Sequence, residues 1–112
     1  MTVNSIRTRA RQILEDAVQP YRWEDAELRN HLQTAVRRLN VRVPATRYVA
    51  GVLQDCVNID DYADDSAIPV DDRYAEALAL YAAYLAYFND ATDTVNAERA
   101  ASCLSRAEAL MI

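Results

Sequence analysis

The sequence predicts an all-α fold, a small bundle of about four helices with an irregular acidic loop in the middle. Three observations carry this expectation. The 112-residue chain holds 20 Ala against one Gly and three Pro, and Ala enters a helix without losing side-chain entropy. Apolar residues recur at spacings of three and four through most of the chain. The stretch Ala77–Phe88, ALALYAAYLAYF, runs twelve residues without a charge in an otherwise acidic protein. That run is too short to span a bilayer, which needs roughly 20 residues, so the reading is a helix at the centre of its own domain or between subunits.

With 52% hydrophobic and 26% charged residues, the composition is that of a globular protein rather than a disordered one. The length suits one domain over residues 1–112.

The first segment, NSIRTRARQILEDAV, sets Ile6, Ala10, Ile13, Leu14 and Ala17 on one helical face, with Arg7, Arg9 and Arg11 mostly opposite. Thr2 or Asn4 can serve as N-cap, and the helix should stop before Pro20, because a residue preceding proline avoids the α region. The second helix opens at WEDAEL. With Glu24 at the N-cap position, Trp23 and Leu28 stand at the spacing of a hydrophobic staple, and Glu27 is placed to reach back to the cap backbone. Leu28, Leu32, Ala35 and Leu39 form its apolar stripe, with Val36 beside it. Acids in its first turn and arginines in its last suit the helix dipole, and Pro44 ends it near Arg42 or Val43.

The middle is ambiguous. Tyr48, Val49, Val52, Leu53, Val57 and Ile59 fit one short helix or a pair of short strands around Gly51. Residues 60–72 read as an acidic loop. Asp71 or Asp72 then caps a third helix, roughly Arg73 to Asn89. Tyr74, Leu78, Tyr81, Leu85 and Phe88 make one stripe of it; Ala77, Leu80, Tyr84 and Tyr87 make a second. Two adjacent stripes predict contact on two sides. After a break at NDATDT, Asp93 or Thr94 caps a fourth helix, whose inner stripe is Ala97, Ala100, Leu104, Ala107 and Met111. Small residues there favour close antiparallel packing on the tyrosine helix. The expected core therefore includes Trp23, Leu28, Leu32, Leu39, Leu78, Tyr81, Leu85, Phe88 and Leu104.

The residues offer little for catalysis. One glycine cannot build a phosphate-binding loop. His31 has no second His and no Cys at ligand spacing, so it reads as a solvated or interface histidine rather than a metal ligand. Nothing orients Cys56 or Cys103 with His31 as a nucleophile–base pair. The run Asp60–Asp65 lacks the alternating acids, central Gly and terminal Glu of a calcium loop. It suits a solvated loop or a docking surface for arginines. No cofactor is expected. Without an apolar leader-like segment in MTVNSIRTRARQ or a CxxC pair, a cytoplasmic chain with two free thiols is the expectation.

Net charge is −5, but it is polarised. Residues 1–47 hold nine Arg and five acids, a net of +4; residues 48–112 hold three Arg and twelve acids, a net of −9. A protomer positive in one half and negative in the other can pack head-to-tail with copies of itself. Arg7, Arg11, Arg29, Arg37, Arg38 and Arg42 are the candidates for a nucleic-acid face, yet the chain is acidic overall and contains no Lys. Arg pairing with acidic loops of a protein partner is better founded.

The order of motifs resembles the head–tail connector proteins of tailed bacteriophages, also called adaptor or head-completion proteins. It consists of Arg22, Trp23, Asp25, Ala26, Glu27 and Leu28 opening a long helix that ends in an Arg-rich turn and a proline. Next come Ile68, Pro69, Asp72, Arg73, Tyr74, Ala77, Leu78, Tyr81 and Tyr84. Asp90, Ala91, Asp93, Thr94, Asn96 and Ala97 then lead into an Ala-rich last helix. The match covers both ends of the chain.

The resemblance implies a structural virion protein of the neck, present in the host cytoplasm during assembly. Such proteins form a ring, commonly dodecameric, beneath the portal. The ring extends the DNA channel without sequence-specific binding and offers a platform to stopper or tail proteins. It implies no catalytic residues and no membrane association. A ring needs two different complementary patches on each subunit. The expected pair is Arg29, Arg37 and Arg38 of one protomer facing Asp60, Asp61, Asp64 and Asp65 of its neighbour. The alternative function is a small acidic helical inhibitor or binding module of the DNA-mimic type, motivated by the −9 half.

Overall fold

The protein is described from a computed structural model covering residues 1–90 and 94–112. It is predominantly α-helical, with four helices and one short antiparallel strand pair among the described residues: α1 (Val3–Ile13), α2 (Asp25–Arg42), β1 (Tyr48–Val49), β2 (Val52–Leu53), α3 (Ala75–Asn89) and α4 (Thr94–Leu110).

Thr2 caps α1. Its hydroxyl accepts from the Ser5 backbone while Ser5 returns the bond to the Thr2 N–H, closing a capping box. The helix ends at Ile13, well short of Pro20. Glu15 adopts a left-handed φ of 56°. Its N–H donates to the Gln12 carbonyl at 3.2 Å and the Asp16 N–H donates to the Arg11 carbonyl at 2.8 Å. These are the two bonds of a Schellman stop. Such a stop commonly packs a hydrophobic pair across its ends. Here Arg11 and Asp16 fill those positions as a buried ion pair at 2.8 Å.

Helix α2 runs over the expected residues. Trp23 and Leu28 are both buried in one cluster, as a staple requires. The expected backbone bond from Glu27 is not made, and the Glu24 side chain does not cap the helix. Glu27 instead lies 3.6 Å from His31 one turn on. Pro44 stands at the start of a 3-10 turn, Pro44–Arg47, where its missing N–H costs nothing. The ambiguous middle then resolves as strands: Tyr48 faces Leu53 and Val49 faces Val52. Ala50 (φ 51°) and Gly51 (φ 80°) make the connecting turn, the two positive φ angles that suit the strand twist.

Asp71 caps a short turn, Asp72–Tyr74, by accepting from the Arg73 N–H at 3.0 Å, and α3 follows. Helix α3 is the spine of the fold, packed by α1, α2 and α4. Its buried surface is mostly alanine: Ala77, Ala79, Ala82, Ala83 and Ala86, together with Leu78, Leu80 and Tyr87. A helix apolar on nearly all sides belongs in the interior, and alanines let neighbouring backbones approach closely.

Two expectations about this hairpin change. Phe88 is 58% exposed rather than core, because it extends the Tyr81–Tyr84 face, which looks between α2 and α4 and not into the packed interior. Tyr81, Leu85 and Leu104 are half-buried for the same reason. The inner face of α4 is also rotated: Asn96, Ala100, Cys103 and Ala107 are buried, whereas Ala97 is exposed. Asn96 is drawn inward because its amide donates to the Asp90 carbonyl at 3.2 Å. The expected caps of α4 lie outside the described residues and side chains.

Candidate interaction surfaces

The predicted interface residues are placed as follows. Arg29 does meet the acidic segment, but within its own chain. Its guanidinium bonds Asp64, lies 3.5 Å from Asp60 Oδ1, and donates to the carbonyls of Ile59 (2.8 Å) and Tyr62 (2.9 Å). Arg7 reaches the other Asp64 oxygen at 2.9 Å. The pairing expected between neighbouring subunits is therefore made inside one protomer. One guanidinium with four oxygen contacts has little capacity left for a partner. Asp61 and Asp65 remain exposed. Arg38 is also occupied internally, donating to Glu108 at 2.9 Å across the cleft to α4. Arg37 alone of the three arginines is exposed and unpaired among the described residues.

These contacts belong to a polar seam that holds the irregular segment 54–70 on α1 and α2. Gln33 accepts from the Ile59 N–H at 2.7 Å and donates to the Val57 carbonyl at 3.0 Å. Buried Asn40 accepts from the Val57 N–H at 2.9 Å and donates to Thr46 at 2.8 Å. Ile59 and Val57 seat their side chains in the core beside Val36 and Leu39. The seam continues through Arg7 and Arg11 to Asp25, whose carboxyl is held below its ordinary pKa, chiefly by the Arg11 hydrogen bond. Sequence reasoning identified the charges and missed Gln33 and Asn40. Their place beside the apolar stripe of a well-marked helix was the available signal, since buried amides need partners.

Two surfaces have no such closure. The first is a trough between α2 and α4, floored by Tyr81, Tyr84 and Phe88 of α3. Tyr84 contacts Tyr81 edge-on with ring centroids 5.3 Å apart and leans on Phe88 at 5.9 Å. Burial, followed by the neighbouring Tyr84, raises the Tyr81 phenol above its ordinary pKa. On the α2 wall, Glu27, His31 and Arg38 share one stripe at helical spacing, with Glu24 at its head. Burial lowers the His31 pKa, with Glu27 pulling the other way, and its Nε2 is buried with no hydrogen-bond partner among the described residues.

The second surface is the β1–β2 hairpin at the other end of the bundle. Tyr48 (58%), Val52 (58%) and Leu53 (51%) are all more than half exposed. Arg47 leads into this hairpin, and its Nε is buried without a hydrogen-bond partner among the described residues. Arg37 and Arg47 line a shared open hollow with Val41 and with Asp55, which forms no ion pair with either among the described residues.

Among the described residues, no three or more His, Cys, Asp or Glu side chains gather as metal ligands, and both cysteines are free thiols. Burial raises the Cys103 thiol pKa, away from thiolate reactivity. Among the described residues, no helix is long and apolar enough to cross a membrane. In comparisons with known proteins, no family model, curated protein or solved structure matches the chain.

Proposed function

We propose that the chain is a structural subunit of a bacteriophage head–tail connector. In this reading it is an adaptor that forms a ring beneath the portal, extends the DNA channel and receives stopper or tail proteins. The reading starts from the motif order at Arg22–Leu28, Ile68–Tyr84 and Asp90–Ala97. The observation that carries it furthest is the presence of two separate apolar surfaces, the Tyr84–Phe88 trough and the Tyr48–Leu53 hairpin, on one small protomer. Exposed apolar residues grouped in this way mark interaction sites, and two unlike patches on one chain suit heterologous assembly into a ring. The protein would work in the virion neck, after assembly in the host cytoplasm, with DNA passing it without sequence readout.

A carboxylate-covered DNA mimic is less well supported. Asp60 and Asp64 face Arg29 and Arg7 of the same chain, so they do not present a free anionic face.

The test is on particles. DNA-filled virions of the source phage are purified on a density gradient, and the chain is quantified against the portal protein by mass spectrometry. A near-equal molar ratio is expected. Absence from the particles would reject the adaptor reading and favour the acidic binding module.

A further inference from the structure

The two open surfaces differ in charge as well as shape. The hairpin projects, and the cations beside it, Arg37 and Arg47, have no ion pair among the described residues; Arg47 Nε is also buried without a hydrogen-bond partner. The trough runs along α3 between two helices. At its Phe88 end, α2 contributes Glu24 and Glu27, whose carboxylates have no arginine or lysine partner among the described residues. The far end of the trough is closed by the Arg38–Glu108 pair. An exposed apolar element flanked by Arg37 and Arg47 and an aromatic floor flanked by Glu24 and Glu27 lie at opposite ends of one molecule. Helices α2 and α3 run antiparallel between those ends, because Trp23 meets Tyr87 and Arg22 meets Asp90 at one of them.

We infer that the β1–β2 hairpin of one copy seats Tyr48, Val52 and Leu53 in the α2–α4 trough of the next, with Arg37 and Arg47 reaching Glu24 and Glu27. The inference rests on the ring-subunit reading above and names the contact by which neighbouring copies would join. Charge complementarity selects a second copy over an unrelated apolar partner. It also favours head-to-tail over two-fold pairing, since hairpin against hairpin would oppose four arginines and trough against trough four glutamates.

The experiment is sedimentation equilibrium of the full chain at low ionic strength and up to millimolar concentration. Wild type is expected to show a weight-average mass that rises with concentration and falls with added salt. Leu53→Asp and Phe88→Asp each alter a residue more than half exposed, so the helical circular dichroism should not change. Each variant alone should associate roughly thirtyfold or more weakly, the size of a hot-spot loss.

An equimolar mixture of the two variants is decisive. One chain keeps its trough and the other its hairpin, so the mixture should form one-to-one dimers and grow no further. In a second pair, Arg37→Glu with Arg47→Glu in one chain and Glu24→Arg with Glu27→Arg in the other, each chain should fail to associate alone, but their mixture should grow beyond dimers, because both hairpin–trough contacts between unlike chains are then complementary. Wild type that stays monomeric throughout overturns the inference, as do single variants that assemble like wild type or a mixture that stays monomeric. Virions that contain the chain while the mixture fails would defeat this interface and leave the adaptor reading standing. Head-to-tail dimers from a chain absent from virions would do the reverse.

Discussion

The α3–α4 hairpin and the segment 54–70 are both held against the rest of the bundle, but by different physics. The hairpin packs alanine against alanine, with Ala83 and Ala107 fully buried, and needs few polar contacts. Segment 54–70 has almost no regular structure. Its backbone groups are received by Arg29, Gln33 and Asn40 of α2, and only Val57, Ile59, Ile68 and Val70 enter the core. A repeating backbone satisfies its own hydrogen bonds and leaves side chains free to pack. An irregular one must borrow donors and acceptors from its neighbour. The polar side of the molecule should therefore be sensitive to single polar deletions and to pH, and the apolar side to volume alone.

The largest expected effect is at the junction of α1 and α2. Asp16 accepts from Arg11 at 2.8 Å and from the N–H groups of Arg22 (2.8 Å) and Trp23 (3.1 Å), all in a largely buried site. Asp16→Ala leaves a buried guanidinium and two backbone donors without this acceptor. A loss of about 3–5 kcal/mol in urea unfolding is expected. Arg11→Met should cost less, since Asp16 would keep its two backbone donors; an equal or greater loss would show that the guanidinium is the organising group. On the apolar side, fully buried Leu78→Ala should cost about 2–5 kcal/mol. That loss should not change between pH 5 and 8, a range chosen to span the ordinary histidine value near 6.5. Variation of the Leu78→Ala loss across it would break the contrast between the two sides.

Asn40 tests the seam more gently. Asn40→Ala removes the acceptor of the buried Val57 N–H and the donor to Thr46, so about 1–3 kcal/mol should be lost. The loss should appear as faster amide exchange at Val57 and in the hairpin before it appears in α3. Uniform acceleration across all four helices would show instead that the segment and the bundle unfold as one unit.

The sequence marked elements where a local device fixes them. Trp23, Leu28 and Pro44 bracket α2, and its bounds follow. Thr2 begins α1, but the end of α1 is hidden, because Glu15 does not advertise a left-handed conformation as glycine would. The strand pair was one of two readings, since Ala50 shares the turn with Gly51 and short apolar runs lack a decisive period. The face of α4 was misjudged at Asn96, a polar residue buried by a bond to a backbone that periodicity does not see. For the candidate surfaces, opposite charges identified Arg29 with Asp60 and Asp64 as partners without revealing that one chain supplies both. Phe88 had the right spacing for the core but sits at the open end of its stripe. Burial is a property of what lies opposite, and a single sequence does not record it.

A smaller effect concerns pH. Burial favours neutral His31, so its folded pKa lies below the unfolded value near 6.5. The unfolded chain then takes up the proton first. Stability from this site is complete above the unfolded pKa and declines as pH falls from there through the folded pKa. His31→Phe should flatten the stability profile over that interval, while leaving the steeper acid loss due to Asp25 and Glu76, whose carboxyl pKa values are lowered by arginine hydrogen bonds. An unchanged profile in the variant would place the pH response at groups other than His31.

The smallest expected effect is at Glu15, where the two sides meet. A non-glycine residue in the left-handed region carries roughly 1–2 kcal/mol of steric cost, and glycine there gives back roughly 0.5–1 kcal/mol through the greater freedom of the unfolded chain. The balance favours Glu15→Gly by no more than about 1.5 kcal/mol. Glu15 is exposed and makes none of the seam's hydrogen bonds, so the gain should be a pure backbone effect. It should be equal in wild type and in the Leu78→Ala background, because the sites share no partner. Combined with Asp16→Ala, the gain should shrink, since Asp16 is the next residue of the same Schellman stop and helps hold Glu15 in its left-handed conformation. Full additivity with Asp16→Ala would show that the helix stop forms without the buried ion pair, and would assign the ordering of the α1–α2 junction to Trp23 packing alone.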